Sequence, residues 1–438
     1  MHYSLHARLL CAALSITACL GALVPAAAKT ADSGDAFAIH KGDRVVFYGD
    51  SITDQRMYTI LAEEYIVTRF PNLDATFIHS GWGGDRVTGG GGGPIDLRLN
   101  RDVDAYHPTV VTIMLAMNDG NYKAYDPTTF QTYADGYKHL ADKLEKDNPG
   151  VRLTFIQPSP YDDVTRPGNF EGGYNAVLVR YGQYLKELSG PEHATVADLN
   201  TPVVAMLQKA DATNHDTAAK ILPDRVHPGW GGHLLMAEGL LRAWHAPSVV
   251  STVTIDAKSG KTTAENARVE KVSLTGSGGT ISWAETENAL PFPIQPPDAK
   301  NADSFNLALQ SSDFVDALDR EMLTVTNLPA ASYSLRIDDQ EVGKFTREQL
   351  AGGINLATLP TPMLNQAQTV ATLTHLHSDL HNQRWRNFEV PHAKDKAMTR
   401  ALPKILAGFD AAEAEVVGEQ RAAAKPVRHQ YLLAPSAG

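Results

Sequence analysis

The chain is almost without cysteine. Its only two, Cys11 and Cys19, fall within the first 28 residues. A mature chain lacking those residues has no disulfide, no thiolate nucleophile and no cysteine metal ligand. At this length it can bury a core without disulfides. Positive charge is also in deficit. Lysine and arginine number 39 against 50 aspartates and glutamates, a formal net charge of -11. That balance speaks against nucleic-acid binding, which needs clustered basic side chains. Long apolar runs are scarce as well. The one at Leu9 to about Val24 is too short for a membrane span of about 20 residues. What remains, 43% hydrophobic and 20% charged residues, fits a folded globular protein.

The N-terminus reads as an export signal. Arg8 precedes the apolar run, and Pro25-Ala26-Ala27-Ala28 follows it, so residues 1–28 are expected to be removed after Ala28. The product is then secreted or periplasmic. A rival is written in the same segment: Ile16-Thr17-Ala18-Cys19 resembles a bacterial lipoprotein processing site, with Cys19 as the anchored residue.

From Arg44 onward short β-rich runs alternate with helical stretches. Strands are expected at 44–48, 75–79, 109–114, 152–157 and near 195–197. Helices are expected at 57–69, over the Phe130/Tyr133/Tyr137/Leu140/Leu144 stripe, at 174–188 and at 231–244. Alternation of this kind predicts a parallel sheet covered on both faces, here over residues 40–248. The texture changes near Pro247. Short alternating runs and Gly-rich turns predict a small β-rich domain over 249–360, with Pro291–Asp298 as an extended loop. A mainly helical segment, 361–438, closes the chain.

Four short blocks lie at predicted strand ends or in the loops beyond them, where open α/β sheets bind ligands. The first is Gly49-Asp50-Ser51, which places a serine hydroxyl just past a strand; its plainer reading is a helix-capping turn. The second is Ser80-Gly81-Trp82-Gly83-Gly84-Asp85, where a glycine lets a backbone N–H approach a substrate. The third is Ala116-Met117-Asn118-Asp119-Gly120, where the Asn118 amide is able to donate to an oxyanion and Asn-Asp-Gly also suits a turn. The fourth is Asp224-Arg225-Val226-His227. An aspartate three residues before a histidine can fold back onto the imidazole, leaving the other ring nitrogen free as a base.

In this chain order the four blocks resemble the SGNH hydrolase superfamily, also called GDSL esterases. The resemblance covers roughly residues 42–245 and implies a flavodoxin-like three-layer α/β/α sandwich with about five parallel strands. It implies Ser51 as nucleophile, with Asp224 and His227 completing a triad. The Ser51 and Gly84 N–H groups and the Asn118 amide would form an oxyanion hole; Gly81 competes with Gly84 for that place. One departure stands out: Ala116 occupies a position where the family usually has glycine. The strained Gly-x-Ser-x-Gly elbow of other serine hydrolases is missing.

No cofactor or metal is implied. The histidine-rich stretch Thr372–His381 imitates a metal loop, but Leu380 interrupts it, and a helix or loop surface with three histidines is the expected structure. The glycine run Gly89–Gly93 has no Gly-Lys-Ser/Thr ending for phosphate; it is expected to be a mobile loop near the site mouth or a connector. Trp82 and Trp230 are candidates to line a substrate pocket. Trp283, Phe292 and Tyr333 are expected in the core of the β-rich domain or in its contact with the preceding domain, rather than on a carbohydrate-binding face. The resemblance thus points to a secreted serine esterase acting on a small-molecule or polysaccharide ester, a carbohydrate O-acetylesterase or short-chain carboxylesterase. The alternatives are a lipase or thioesterase of the same superfamily, and a non-catalytic polysaccharide-binding protein on a hydrolase scaffold.

Overall fold

The computed structural model describes residues 36–276, 279–296 and 298–436. The export segment and Cys19 lie outside them.

The first unit follows from its strand composition. Strand β1 (Arg44–Gly49) is buried at every residue after Arg44, as a strand covered on both faces must be. Strands β2 (Thr76–Gly81), β5 (Val110–Met114), β6 (Arg152–Ile156) and β7 (Thr195–Ala197) join it in a sheet of order β2-β1-β5-β6-β7. Every pairing in it is parallel. Between β2 and β5 the glycine run forms a hairpin of β3 (Gly89–Gly90) and β4 (Gly93–Pro94), followed by helix α3 (Ile95–Asp102). The covering helices are α2 (Met57–Arg69), α4 (Pro127–Asp147), α5 (Gly173–Ser189), α6 (Thr201–Thr213), α7 (His215–Ala218) and α8 (Trp230–Ala243), with the short α1 (Ser51–Asp54) directly after β1. Helix α2 packs on α8 and α4 on α5. This is the expected three-layer α/β/α sandwich. The strand order reverses between β1 and β5, so the crevice at their carboxyl ends is the natural ligand site.

Beyond Pro247 two sheets share one core. Strands β8 (Val249–Asp256), β9 (Thr262–Glu265), β12 (Arg320–Thr326) and β15 (Ile354–Asn355) form one sheet. Strands β10 (Ala267–Thr275), β11 (Thr280–Glu287), β13 (Ser332–Ile337) and β14 (Gln340–Thr346) belong to the other. Trp283 and Tyr333 are buried there, with Trp283 stacked on Tyr431 at 4.9 Å. Phe292 is buried on the side of the α/β unit, against Phe314 in that unit's core.

Two features of this region were not foreseen. Helices α9 (Ala302–Gln310) and α10 (Phe314–Leu318) interrupt the β-rich stretch and pack back on α8. Their Phe305, Leu307, Phe314 and Leu318 complete the α/β core. The helical closing segment, after α11 (Arg347–Gly352), consists of α12 (Pro362–Asn382), a wide π-helical stretch at Gln383–Glu389, α13 (Val390–His392) and α14 (Leu402–Ala423). It then ends in a strand, β16 (Arg428–Pro435), which occupies the centre of its sheet between β11 and β13. The helices are therefore a long excursion out of the β region. Helix α12 packs on both α14 and α2. Arg69, buried at the end of α2, ties the junction by donating to the carbonyls of Pro247, Val249 and Leu318.

Candidate active site

Asp50 caps α1, its Oδ1 accepting from the Ile52 N–H at 3.0 Å. The capping reading and the nucleophile reading of Gly-Asp-Ser are thus both satisfied: Asp50 takes the cap, and Ser51 is left as the first helical residue. Burial pushes the Asp50 carboxyl up to about 7.

The loop between α7 and α8 brings the fourth block to Ser51. Arg225 adopts a left-handed φ of 73°, and the Asp162 N–H donates to the Arg225 carbonyl at 2.9 Å. The turn folds Asp224 back, so that its Oδ1 accepts from the backbone N–H groups of Val226 (3.0 Å) and His227 (2.7 Å). Its Oδ2 lies 2.7 Å from His227 Nδ1. Burial works against the Asp224 charge, but these donors outweigh it and hold the carboxyl below its ordinary value. An ionised carboxylate only accepts, so Nδ1 carries the hydrogen and Nε2 is free to accept. Ser51 Oγ lies 2.7 Å from that Nε2. The three side chains form one hydrogen-bonded line across 176 residues of sequence.

The second and third blocks close on the same place. Gly81 and Gly84 are separated by their surroundings. A Cβ on Gly81 would lie 2.1 Å from the Asp54 N atom, so this glycine exists to let β2 pack on α1. Gly84 has φ of +78° with open space beside it, and its N–H has no acceptor among the described residues. Gly84 thus has the free donor. Asn118, just beyond β5, donates from Nδ2 to the Asp85 carbonyl at 3.0 Å, and its Oδ1 accepts from the Tyr122 hydroxyl at 3.0 Å. Ala116, at the position where glycine is usual, is fully buried with φ of 125°, a conformation that favours glycine.

Arg98 holds the second block in place and was not read from the sequence. It is fully buried. It donates to Asp85 Oδ2 (2.7 Å), to the Ser80 carbonyl (2.9 Å) and to Asp102. Trp385, from the π-helical stretch, donates to the same Asp102 at 2.6 Å. The excursion helices therefore brace the loop that carries Gly84.

The pocket tryptophans fare differently from expectation. The face of Trp82 is covered by the Arg386 guanidinium, with Arg98 and Arg101 5.2 Å from its ring centre. The glycine run packs against it: a Cβ on Gly92 would lie 2.4 Å from Arg98 and 2.8 Å from Trp82. Those glycines serve close packing. Trp230 lies against His375 and lines a cleft of about 370 Å³ with Leu61, Leu234, Phe292 and Phe305. Ser51, Gly84, Asn118 and His227 do not line that cleft.

The histidines of Thr372–His381 lie on helix α12 as expected, but two of them are not on a surface. His377 and His381 are buried against α2 and α14. His377 Nδ1 is 2.9 Å from Glu63 and its Nε2 is 3.1 Å from Glu413. Among the described residues no group of three or more histidine, cysteine or acidic side chains is arranged to hold a metal ion.

Residues 47–235 match the model of the GDSL-like lipase/acylhydrolase family. This segment resembles a GDSL-like domain. The acetylxylan esterase of Geobacillus stearothermophilus is 23% identical to the chain over 222 residues, covering 47% of this chain and 94% of that protein. A solved structure described as a gut microbial diltiazem-metabolizing enzyme superposes with a TM-score of 0.78 at 24% identity, covering 91% of this chain and 98% of the other. That likeness extends the shared fold past the GDSL-like domain into the β region and its helical excursion.

Proposed function

We propose that the chain is a secreted serine esterase that works through an acyl-enzyme, acting as a carbohydrate O-acetylesterase or short-chain carboxylesterase. The observation that carries the reading is the 2.7 Å and 2.7 Å line from Ser51 Oγ through His227 to Asp224. In this mechanism His227 Nε2 takes the Ser51 proton as Oγ bonds to the ester carbonyl carbon. The carbonyl oxygen becomes an oxyanion facing the Ser51 and Gly84 N–H groups and the Asn118 amide. Collapse breaks the bond to the alcohol, which leaves with the proton from His227. Water then gives a proton to His227 and attacks the acyl carbon. The acid departs and Ser51 recovers its proton. Asp224 stabilises the imidazolium in both halves without itself being protonated. The acetyl preference is supported by the acetylxylan esterase relative, 23% identical over 222 residues.

Hydrolysis of p-nitrophenyl acetate by wild type and by Ser51→Ala tests the reaction. Wild type should turn over, and the variant should lose roughly 10⁴-fold or more in kcat. An inactive wild type, or an undiminished variant, would sink the reading. Esters from acetate to octanoate, then acetate release from acetylated xylan, pectin and simple sugars, separate the acetylesterase from a lipase.

A further inference from the structure

Tyr122 is a side chain that the mechanism above does not use, four residues past Asn118 on the rim of the site. Asn121 and Tyr122 both adopt left-handed backbone, with φ of 56° and 57°. Two consecutive non-glycine residues in that region are strained and need surroundings that hold them. Here the surroundings are plain. Arg86 donates to Asn121 Oδ1 at 2.8 Å, and the Val87 N–H donates to Asp119 Oδ1 at 3.0 Å. The Tyr122 ring lies 5.1 Å from that of Tyr174, which in turn donates to the Met117 carbonyl at 2.7 Å. The result aims the Tyr122 hydroxyl at Asn118 Oδ1, 3.0 Å away.

A primary amide has one acceptor oxygen and two N–H donors. In Asn118 the oxygen is held by Tyr122 and one N–H is held by the Asp85 carbonyl. Two fixed contacts on opposite ends of a planar group determine both its orientation and its rotation. The second N–H is then left with a single direction. A donor on the amide oxygen also polarises the N–H bonds, so it strengthens whatever they bind. We infer that Tyr122 is a positioning residue for the oxyanion hole: it locks the Asn118 amide and reinforces its donation when the tetrahedral oxyanion forms. This inference rests on the esterase reading above.

The predicted signature is a loss in kcat with little change in KM, because the contact strengthens in the transition state rather than in substrate binding. Tyr122→Phe removes only the hydroxyl. Its kcat on p-nitrophenyl acetate should fall about tenfold, with KM within about twofold. Asn118→Ala should lose about 10²–10³-fold. The double variant should match Asn118→Ala within about twofold, since Tyr122 then has nothing to position. Thermal melting of all four proteins separates a folding loss from a catalytic one. A Tyr122→Phe enzyme with wild-type kcat would overturn the inference. So would a full tenfold loss retained on top of Asn118→Ala. Both results would leave the esterase reading standing, provided wild type is active and Ser51→Ala is not. An inactive wild type would overturn the two together.

Discussion

Two of the histidines that have partners on both ring nitrogens do opposite things. His227 lies between Asp224 and Ser51; His377 lies between Glu63 and Glu413. The side chain of His227 is 34% exposed and that of His377 is 5% exposed. His227 has one charged partner and one neutral partner, so its second nitrogen is available as a base. His377 is enclosed between two carboxylates. Burial opposes its charge, but the pair outweighs it and pushes the imidazole up to about 10. Glu63, also buried, is held down at about 2 by His377 and His79, and Glu413 is held well below its ordinary value. The same imidazole is thus a reagent at the sheet edge and a fixed cation at the seam of α2, α12 and α14. Partner chemistry and solvent decide which.

The largest effects come from exchanging the two losses. His377→Ala should leave kcat per folded molecule near wild type but lower stability by about 3–5 kcal/mol, because the buried Glu63 loses its counter-charge. Chemical denaturation of His377→Ala beside Ser51→Ala would show the split. A His377→Ala enzyme as stable as wild type would break the comparison. The pH dependence has a defined sign. The raised His377 value gives stability that is fully present below about 6.5 and fades as pH rises toward 10. The lowered Glu63 value gives stability present above about 4.5 and lost as pH falls toward 2. The seam is therefore tightest between those inner limits, and His377→Ala should flatten the alkaline limb.

A smaller effect is expected where carboxyls are buried without a cation of their own. Glu285, Glu287 and Glu321 cluster under β11 and β12. Burial and mutual repulsion raise Glu285 to about 8 and push Glu321 well above its usual range. The Glu321 carboxyl shares a hydrogen bond with Glu287, a contact that needs one of the two to keep its proton. A raised carboxyl binds its proton more tightly in the folded state, so stability falls as pH rises from about 4.5 through 8. Glu321→Gln is neutral at every pH. It should raise Tm at pH 9 by about 2–4 °C and change it little at pH 5. Equal shifts at both pH values would show that charge is not the cause.

The contrast also explains what was legible in the sequence. Ser51, Gly84, Asn118 and the Asp224/His227 pair are local signals. The first three follow a strand end within a few residues, the pair lies in the loop before α8, and the sheet order assembles them. The parallel strands were legible because runs such as Val45–Tyr48 are apolar without alternation. The rest depends on distant partners. Arg98 looks like a solvated charge until Asp85 and Asp102 enclose it. His377 looks like a surface residue until Glu63, 314 positions earlier, reaches it. Strand β16 alternates buried and exposed residues over most of its length, yet nothing local says that it pairs with β11 some 150 residues back. Tyr122 was hidden because its direction comes from two left-handed residues that are not glycine.

The smallest effect lies behind Asn118, where the family's usual glycine is replaced. Ala116 sits at φ of 125° with its methyl fully buried. Holding alanine in that region costs about 1–3 kcal/mol. Ala116→Gly releases that strain. Against it stand the lost burial of one methyl, about 0.8 kcal/mol, and the greater chain entropy of glycine, roughly 0.5–1 kcal/mol. The opposing terms nearly cancel in the middle of the strain range, and its upper end leaves a gain of about 1–2 kcal/mol. Tm should therefore rise by no more than about 2–4 °C. Activity should stay within about twofold, because the Asn118 contacts to Asp85 and Tyr122 do not involve the methyl. A lower Tm with unchanged kcat would show that the loop accommodates alanine without strain. A large fall in kcat would show that the methyl itself helps to hold Asn118, making the departure at Ala116 part of the site.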